Sequence, residues 1–572
     1  MIKKVRYPTV EDVRPIALLD VSQKLYLTFL RGDIEEHIKR NHLERNNQIG
    51  FTGGGRLEYG HFLLQHMVEE AWRKKGRVKM VVMALDFSKA FDSVDRKKLV
   101  ETMISYKINP LVINLIAKLY SGDETILTIG GKEVRLKLNA GIRQGCPASA
   151  LLFKIVTYEI MKRLEEVGVK FETTRYSLNS IFYADDSIVV ARTVEEARRN
   201  LAVIKEASKV FGLEINERKS KVMIFRTRGR GGRDDEIPEA GTVEGMEVVR
   251  SLKYLGICIN DRRDIFKKHK VELVDKAEKM ALQTYSMIER CCSRVVIGKT
   301  FWKTIVLPSV LTGIGLMTLT YKQRTKLQQI EDGVFRKILG ARKFAPLEVL
   351  RGEVGSSSMQ SRLIQSKLLL VKSIMDGQNE LMKEALEGVR ENEFDKMNIG
   401  ITSCLRKVGI EYERLRQMSK EEIKRKVRDR DDEVWLNGLR EKVTVDLYLE
   451  YKGKIQEARV YDNSLKSDLF FAARSNTMEL NELRARWRKG EPTCDLCGAE
   501  REDLMHFILK CRPLEGKRRG VIEKFRSDCD RDTLGALLFG TEGEDCEEVK
   551  SMMWDLWVER QRKLGVRWMG RG

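Results

Sequence analysis

The chain has 572 residues, which is too long for one hydrophobic core and predicts several subdomains. Its 105 Lys and Arg residues against 84 Asp and Glu residues give a net charge of +21, which favours a polyanionic partner such as RNA or DNA. Ten cysteines are too sparse for a disulfide scaffold, and the N-terminus lacks a signal-peptide core. These features argue against a secreted protein, and we expect a soluble one in the nucleus and cytoplasm.

The first 75 residues predict two helical segments separated by a loop. A periodic segment extends to about residue 38, and Gln48-Ile49-Gly50-Phe51 is followed by the glycine-rich loop Gly53-Gly54-Gly55-Arg56. From 61 to 75, apolar residues recur with the spacing of one helix face.

A strand that ends in a carboxylate is predicted next. Residues 79–85 form an apolar run that stops at Asp86, which is typical of a buried strand. A hairpin is expected at 125–138, around Gly130-Gly131. A loop at 139–147 then leads into a helix at 148–165.

The stretch from Ile181 to Val190 consists of two apolar runs that meet at Asp185 and Asp186. Short runs rich in β-branched and aromatic residues favour strands, so the pattern predicts a hairpin with two carboxylates at its tip. Adjacent like charges repel unless a cation neutralises them. A fold that brings Asp86 beside the pair would create a site for two Mg²⁺ ions. A solvated turn without a metal is the alternative for the pair taken alone.

The chain beyond the hairpin continues the alternation of helices and strands. Thr193-Val194-Glu195-Glu196 is a capping box that predicts a helix to Phe211. Strands are expected at 222–225 and 252–257, and residues 226–241 are expected to form a flexible insertion.

The remaining residues to about 480 have periodic, basic patterns that predict helices. The uncharged stretch 304–321 has about the minimum length of a membrane span. It contains Pro308, Gly313 and Gly315, so we expect a buried helix with a kink and a turn, and no membrane contact.

A metal-binding pattern follows near the C-terminus, with the spacing Cys494-x2-Cys497-x8-His506-x4-Cys511. One imidazole nitrogen and three thiolate sulfurs are the ligand set of a closed tetrahedral zinc site. The pattern predicts one structural Zn²⁺.

Three motifs, in this order, resemble those of non-LTR (LINE-like) retrotransposon reverse transcriptases: Leu85-Asp86-Phe87-Ser88-Lys89-Ala90-Phe91-Asp92, Gly141-Ile142-Arg143-Gln144-Gly145-Cys146-Pro147 and Tyr183-Ala184-Asp185-Asp186. The resemblance extends to the zinc knuckle and implies an α+β right-hand polymerase. Its expected parts are fingers and palm (1–260), a helical thumb (261–345), a helical connector (346–485), a CCHC zinc knuckle (486–515) and a C-terminal tail (516–572).

The resemblance also implies an activity: RNA-directed DNA polymerisation, with an RNA template, a DNA primer or target, and dNTPs as partners. In its mechanism Asp86, Asp185 and Asp186 are catalytic, and two Mg²⁺ ions are held by Asp86, the carbonyl of Phe87 and Asp185. The residues that the resemblance assigns to nucleotide and template binding are Phe91, Arg143, Gln144, Gly145 and Lys219. Thr52 stands where the family usually has an Arg after the Gly-Phe pair, so Arg14 and Arg56 are the candidates for the fingers cation.

Two departures from the family concern packing and extent. Ala148-Ser149-Ala150 replaces the more usual Leu-Ser-Pro, which we expect to alter packing rather than chemistry. Relatives carry a DNA endonuclease, and none is recognisable here, so a fragment or decayed copy is expected. The alternatives are a catalytically inert nucleic-acid-binding remnant, which the intact acids disfavour, and an intron-maturase-like polymerase, which the knuckle disfavours.

Overall fold

The computed structural model describes residues 16–76, 78–121, 124–129, 132–227, 241–290, 293–487, 490–524 and 530–566. The chain divides into two compact units: Met1–His269 with Leu370–Ser403, and Lys270–Leu369 with Cys404–Gly572. The five segments predicted from the sequence are finer than this division and stay predictions. Arg14, the Gly130-Gly131 turn and most of the 226–241 insertion lie outside the described residues.

The first unit is built from helices and strands that alternate along the chain. In order they are α1 (Val21–Arg40), α2 (Leu57–Arg73), β1 (Val78–Leu85), α3 (Ala90–Ser93), α4 (Arg96–Ser105), α5 (Pro110–Tyr120), β2 (Glu124–Ile129), β3 (Lys132–Lys137), α6 (Ser149–Val167), β4 (Phe171–Glu172), β5 (Ser177–Leu178), β6 (Ser180–Tyr183), β7 (Asp186–Ala191), α7 (Val194–Val210), β8 (Lys221–Arg226), β9 (Thr242–Val243), β10 (Met246–Val248), β11 (Ser251–Tyr254) and β12 (Ile257–Asn260).

From Lys267 onward the elements of the described chain are helical. They are α8 (Lys267–Arg290), α9 (Arg294–Phe301), a π-helical turn (Trp302–Val306), α10 (Leu307–Val310), a 3-10 turn (Ile314–Leu316), α11 (Tyr321–Leu339), α12 (Leu347–Val354), α13 (Met359–Asp376), α14 (Glu380–Glu391), α15 (Lys396–Val408), α16 (Tyr412–Gln417), α17 (Lys420–Arg440), a 3-10 turn (Val443–Val445), α18 (Asp446–Tyr451), α19 (Leu465–Arg474), α20 (Asn481–Arg486), a π-helical turn (His506–Lys510), a 3-10 turn (Arg512–Leu514), α21 (Glu515–Lys524), α22 (Arg531–Phe539) and α23 (Gly543–Lys563).

A six-stranded sheet in the order β6-β7-β1-β8-β10-β9 forms the centre of the first unit. β1 pairs antiparallel with both β7 and β8, which explains why its middle residues are fully buried. Val81 and Met83 belong to the same apolar core as α6 and α7, whereas Met80 and Val82 alternate onto the opposite face and are also buried. The sheet and its helices confirm the predicted α+β class.

The predicted elements of this unit appear close to their expected bounds. The hairpin around the two aspartates is β6–β7, and α7 begins after Thr193, whose side chain accepts a hydrogen bond from Glu196 N, while the Glu196 carboxylate accepts one from Arg192 N. The segment expected as a strand at 252–257 is not one continuous strand and lies outside the six-stranded sheet. It turns at Leu255-Gly256 and pairs β11 with β12 in a separate two-stranded sheet.

The stretch 304–321 is irregular, as its composition predicted. A π-helical turn runs directly into the short helix α10, which contains Pro308, and Gly313 then adopts a positive φ of 68°. None of the helices that the structure describes has the length and apolarity needed to cross a bilayer.

Candidate functional site

The sheet brings three carboxylates to one end. Leu85, the last residue of β1, pairs with Ser187 of β7, so the same register sets Asp86 opposite Asp186. Tyr183 pairs with Asp186 across the hairpin, which leaves Ala184 and Asp185 as the two residues of the turn. The structure therefore assembles Asp86, Asp185 and Asp186 as the sequence predicted, although their roles stay predictions.

The turn itself has an unusual backbone conformation. Ala184 has a φ of 58°, a region that residues other than glycine rarely adopt and that costs on the order of 1 kcal/mol or more. The surrounding structure holds it there: the Oε1 atom of Gln48 accepts hydrogen bonds from the backbone N–H groups of Ala184 and Gly50, both at 3.1 Å. Gln48 is buried, and its Nε2 atom donates to Thr157 Oγ1 at 2.9 Å.

A short segment before α2 fixes the other side of the hairpin. Ile49 N donates to the carbonyl of Phe182, and Phe182 N donates to the carbonyl of Asn47, each at 2.8 Å. A Cβ on Gly50 would lie 2.5 Å from Ala184 N, so only glycine permits this approach. Sequence reasoning identified this segment as part of a motif but missed its contact with the aspartate turn, because the contact joins residues far apart in the chain.

The backbone after β1 is held by the segment that follows α7. Asn216 N donates to the carbonyl of Asp86 and Ser88 N donates to that of Glu214, both at 2.8 Å. Asp86 N donates to Ser220 Oγ at 3.1 Å. Phe87 is buried, with a backbone bridge to Ile215. Hydrogen bonds to the N–H and the carbonyl of Asp86 thus fix its backbone in the absence of a ligand.

Phe91 lies at the start of α3 and is partly buried. Its ring stacks on that of Phe153 with centroids 4.7 Å apart and 14° between the planes. Its carbonyl accepts a hydrogen bond from Ile142 N at 2.7 Å, which ties it to the loop 139–147. Phe91 therefore joins the core through Phe153 and borders the loop through Ile142.

The loop 139–147 is shaped by two glycines with positive φ. A Cβ on Gly141 would lie 2.6 Å from the carbonyl oxygen of Asp92, and one on Gly145 would lie 3.0 Å from that of Ala17. Gln144 donates from Nε2 to both carboxylate oxygens of Asp92, at 3.2 and 3.3 Å. The loop is thus attached to the motif that carries Asp86, a link that sequence reasoning did not anticipate.

The cations predicted around the site have different environments. Arg143 donates to the carbonyl of Leu119 at 2.8 Å and lies 5.3 Å from the ring centre of Tyr120. Arg56 is paired with Glu58 at 3.1 Å. Lys219 is exposed. Arg143 and Arg56 therefore have structural contacts, and Lys219 is the more accessible cation of the three.

Tyr254, at the end of β11, is a residue near the site that the sequence did not single out. Its hydroxyl is buried and has no hydrogen-bond partner among the residues described. Burial raises the pKa of Tyr254, and the carboxylate of Asp186 raises it further. The backbone carbonyl of Tyr254 lies 2.9 Å from Nε2 of the buried His61.

The second constellation is the Cys/His cluster. The ligand atoms of Cys494, Cys497, His506 and Cys511 all lie within 4.8 Å of one another. The sulfurs of Cys494 and Cys511 are 3.9 Å apart, close to the roughly 3.8 Å edge of a tetrahedron with Zn–S bonds of about 2.3 Å. Burial and the neighbouring thiols raise the pKa of Cys511 to about 12, so without a cation its thiolate is disfavoured. The donor set and spacing fit zinc.

The cluster is joined to the last helix by a buried ion pair. Glu502, between the second Cys and His506, receives two hydrogen bonds from the guanidinium of Arg560 on α23, at 2.7 and 2.6 Å. Both residues are about 1% exposed. Phe507 packs edge-on against Trp557 of the same helix, with centroids 6.1 Å apart. The residues that surround the cluster therefore come partly from a helix far along the chain.

Known proteins share these motifs. A family model described as reverse transcriptase (RNA-dependent DNA polymerase) matches residues 2–259. The chain is 27% identical over 304 residues to the Retrovirus-related Pol polyprotein from type-1 retrotransposable element R2 of Nasonia vitripennis, covering 50% of this chain and 29% of that protein. It is 28% identical to the protein of the same name from Bradysia coprophila, covering 34% of this chain and 23% of the relative.

A third relative and a solved structure extend the comparison. The chain is 26% identical to the Transposon TX1 uncharacterized 149 kDa protein of Xenopus laevis, covering 45% of this chain and 19% of that protein. It thus spans less than a third of the length of these curated relatives. Apo telomerase from Candida Tropicalis aligns with 68% of this chain and 60% of its own, at 13% identity and a TM-score of 0.35.

The family match covers the three motifs that meet at the end of β1 and the β6–β7 turn, and it confirms the right-hand polymerase fold predicted from them. Residues 2–259 therefore match a reverse transcriptase domain, and the chain is similar in sequence to Pol polyproteins of R2 retrotransposable elements.

Proposed function

We propose that this chain is the RNA-directed DNA polymerase of a non-LTR retrotransposon, which extends a DNA primer on an RNA template with dNTPs. The observation that carries the proposal is the convergence of Asp86, Asp185 and Asp186 at one end of the central sheet. The net charge of +21 supports a nucleic-acid partner held largely through phosphates. We also propose a location in the nucleus and cytoplasm.

The oxygen ligands of this end of the sheet suit divalent metal ions. Asp86 and Asp185 would hold two Mg²⁺ ions together with the carbonyl of Phe87, and Asp186 adds negative charge beside them. When bound, such ions lower the pKa of the primer 3′-hydroxyl and neutralise charge on the triphosphate. The fixed backbone at Asp86 and the braced turn at Ala184 keep the carboxylates in place, so their positions depend little on the ligand.

The loop 139–147 would position the incoming nucleotide. Gly145 permits close approach of the backbone, and Gln144, attached to Asp92, presents its amide at the loop surface. Phe91 lies beside the loop, where its ring would exclude a ribose 2′-hydroxyl. The exposed Lys219 is available for the departing pyrophosphate.

The Cys/His cluster would hold one structural Zn²⁺. Its three thiolates and one imidazole form a closed ligand set with no position left for a substrate, so the metal would stabilise the fold rather than take part in chemistry.

Primer extension on poly(rA)/oligo(dT) with Mg²⁺ tests the proposal. We expect activity in the parent and in Asp33→Asn, a matched change at an exposed aspartate of α1, and none in Asp185→Asn. Because Asp185→Asn removes a ligand and also relieves like-charge repulsion, its stability and RNA binding should match the parent.

Two results would contradict the proposal. Substantial extension by Asp185→Asn would remove the assigned role of the carboxylates. A parent chain that binds RNA but extends no primer would favour the inert nucleic-acid-binding remnant.

A further inference from the structure

A basic cleft lies within the second unit, remote in sequence from the polymerase motifs. It encloses about 660 Å³ between α8, α11 and the start of α9, and its lining includes Tyr285, Glu289, Arg294, Arg336, Lys337 and Lys343. A cavity of this size accommodates a small organic ligand. Four cations and one carboxylate line it, so an anionic ligand is favoured.

The two arginines that line the cleft are held by other residues, and each still has an Nε donor without an acceptor in the described part of the chain. Arg294 is 6% exposed and pairs with Asp468, and Arg336 donates to the carbonyl of Ala345 at 3.0 Å. The Nε atom of each guanidinium is buried without an acceptor in the described part of the chain. Buried donors of this kind are costly to leave unpaired, and a phosphate oxygen in the cleft would be a suitable acceptor.

Other charges do not cancel the positive potential. Lys337 is paired with Glu289 at 2.8 Å, whereas Lys343 is exposed. Next to Lys343, Arg342 is paired with Glu479, and burial and the neighbouring cation Arg484 lower its pKa. The lining of the cleft itself keeps more cations than carboxylates.

Aromatic side chains accompany the cations. Tyr285 is half-buried in the cleft, and its hydroxyl lies over Gly333, where a Cβ would come within 2.9 Å of it. Phe344, which follows Lys343 directly, packs edge-on against Trp487 with centroids 4.3 Å apart, and both rings are 40% exposed. Exposed aromatic rings beside cations are the arrangement on which unpaired bases stack.

We propose that the cleft and the Phe344–Trp487 pair form a binding site for single-stranded nucleic acid, separate from the polymerase site. A backbone phosphate enters the cleft beside Arg294, Arg336 and Lys343, and a neighbouring base stacks on Phe344 or Trp487. Bases within a duplex are already stacked and cannot use the aromatic pair, so the site favours single strands.

The test uses the full chain and a ten-nucleotide uridine RNA that contains 4-thiouridine. Ultraviolet cross-linking followed by peptide mapping should place a cross-link on the segment with Phe344 or on that with Trp487. Phe344→Leu keeps apolar bulk without a ring and should weaken this binding about tenfold, whereas Phe344→Tyr should retain it. Lys343→Glu should weaken binding and reduce its salt dependence, whereas Lys426→Glu, at an exposed lysine of α17, should change neither beyond a small general charge effect.

The outcome is independent of polymerase activity. Phe344→Leu and Lys343→Glu should extend a pre-annealed primer as the parent does, and Asp185→Asn should keep the cross-link while losing extension. Cross-links confined to the first unit, equal binding by Phe344→Leu and the parent, or stronger cross-linking of a duplex at these residues would each overturn the proposal.

Discussion

Gln48 and Ala184 are joined by a hydrogen bond from the Ala184 N–H to the side-chain oxygen of Gln48, although 136 positions separate them. The bond holds the strained residue of the aspartate turn, and the same oxygen also accepts from Gly50 N. A single buried carboxamide therefore connects the loop before α2 to the carboxylates of the site.

Replacing Gln48 by Ala should slow primer extension about tenfold or more while dNTP KM changes little. The substitution leaves buried N–H groups at Ala184 and Gly50 unpaired, at about 1–3 kcal/mol for each, and frees the turn. Steady-state kinetics together with thermal unfolding separates loss of positioning from loss of fold. Thr157→Val is the control, because it removes the partner of Gln48 Nε2 and the bond of Thr157 to the Lys154 carbonyl but leaves the bonds to Ala184 and Gly50 in place, so it should slow extension less. Parental kcat in Gln48→Ala would contradict a positioning role.

Phe91→Val should relax sugar selectivity. If the ring excludes a 2′-hydroxyl by overpacking of about 1–3 kcal/mol, the ratio of kcat/KM for dNTP over rNTP should fall roughly tenfold to a hundredfold. Phe91→Tyr keeps the ring and should keep the ratio. Because Phe91 stacks on Phe153, some stability should also be lost. A folded, active Phe91→Val enzyme that rejects rNTP as the parent does would assign Phe91 to the core alone.

The chain should purify with one zinc per molecule from a reducing preparation, and Cys497→Ser should lower that content. Local ligand spacing alone would confine the resulting unfolding to residues 490–515. The Glu502–Arg560 pair predicts that α23 also loses protection, and hydrogen exchange measures this directly. If hydrogen exchange in α23 is unchanged after the metal is lost, the Glu502–Arg560 pair does not couple the stability of α23 to metal binding.

Arg560→Met should destabilise the second unit by about 3–5 kcal/mol, because it leaves Glu502 buried and uncompensated. The double variant Arg560→Met with Glu502→Gln removes both charges and should recover much of the loss. Chemical denaturation of the parent, both single variants and the double variant gives the coupling energy. Additive effects would refute a direct interaction.

Acidification should destabilise the first unit through its buried histidines. Burial lowers the pKa of His61 and of His66 to about 4, against about 6.5 in an unfolded chain. As the pH falls from 6.5 towards 4, the two histidines bind protons in the unfolded state but stay neutral in the folded state. The free energy of unfolding therefore falls by about 1.4 kcal/mol per pH unit for each histidine. Below about pH 4 the folded state also binds these protons, so the free energy of unfolding falls no further through these histidines.

The free energy of unfolding, measured from pH 7 to 4, isolates this effect as a difference between variants. His61→Gln should have a flatter pH profile than the parent, whereas His42→Asn, at an exposed histidine, should follow the parent. Parallel profiles for the parent and His61→Gln would contradict the assignment.

Elements with a strong local signal were predictable from the sequence. The aspartate hairpin, the strand before Asp86 and the helix after Thr193 are each specified by neighbouring residues, through periodicity and capping. The irregular course of 304–321 followed from its proline and glycines. The ligand spacing of the cysteines likewise identified a compact donor set.

Contacts between distant segments were not predictable in this way. The sequence around Gln48 gives no sign of its bond to Ala184, and nothing near Glu502 points to Arg560. In each case the partner is chosen by the tertiary fold, which local propensity does not encode.

The Glu502–Arg560 pair also has a consequence for the order of synthesis. A ribosome makes Cys494, Cys497, His506 and Cys511 before it makes Arg560, which follows Glu502 by 58 positions. During that interval all four metal ligands are present, but the carboxylate of Glu502 has no arginine with which to form an ion pair, so its burial is unfavourable. The cluster can therefore capture its metal early in translation, whereas its final burial must wait until the last helix has emerged.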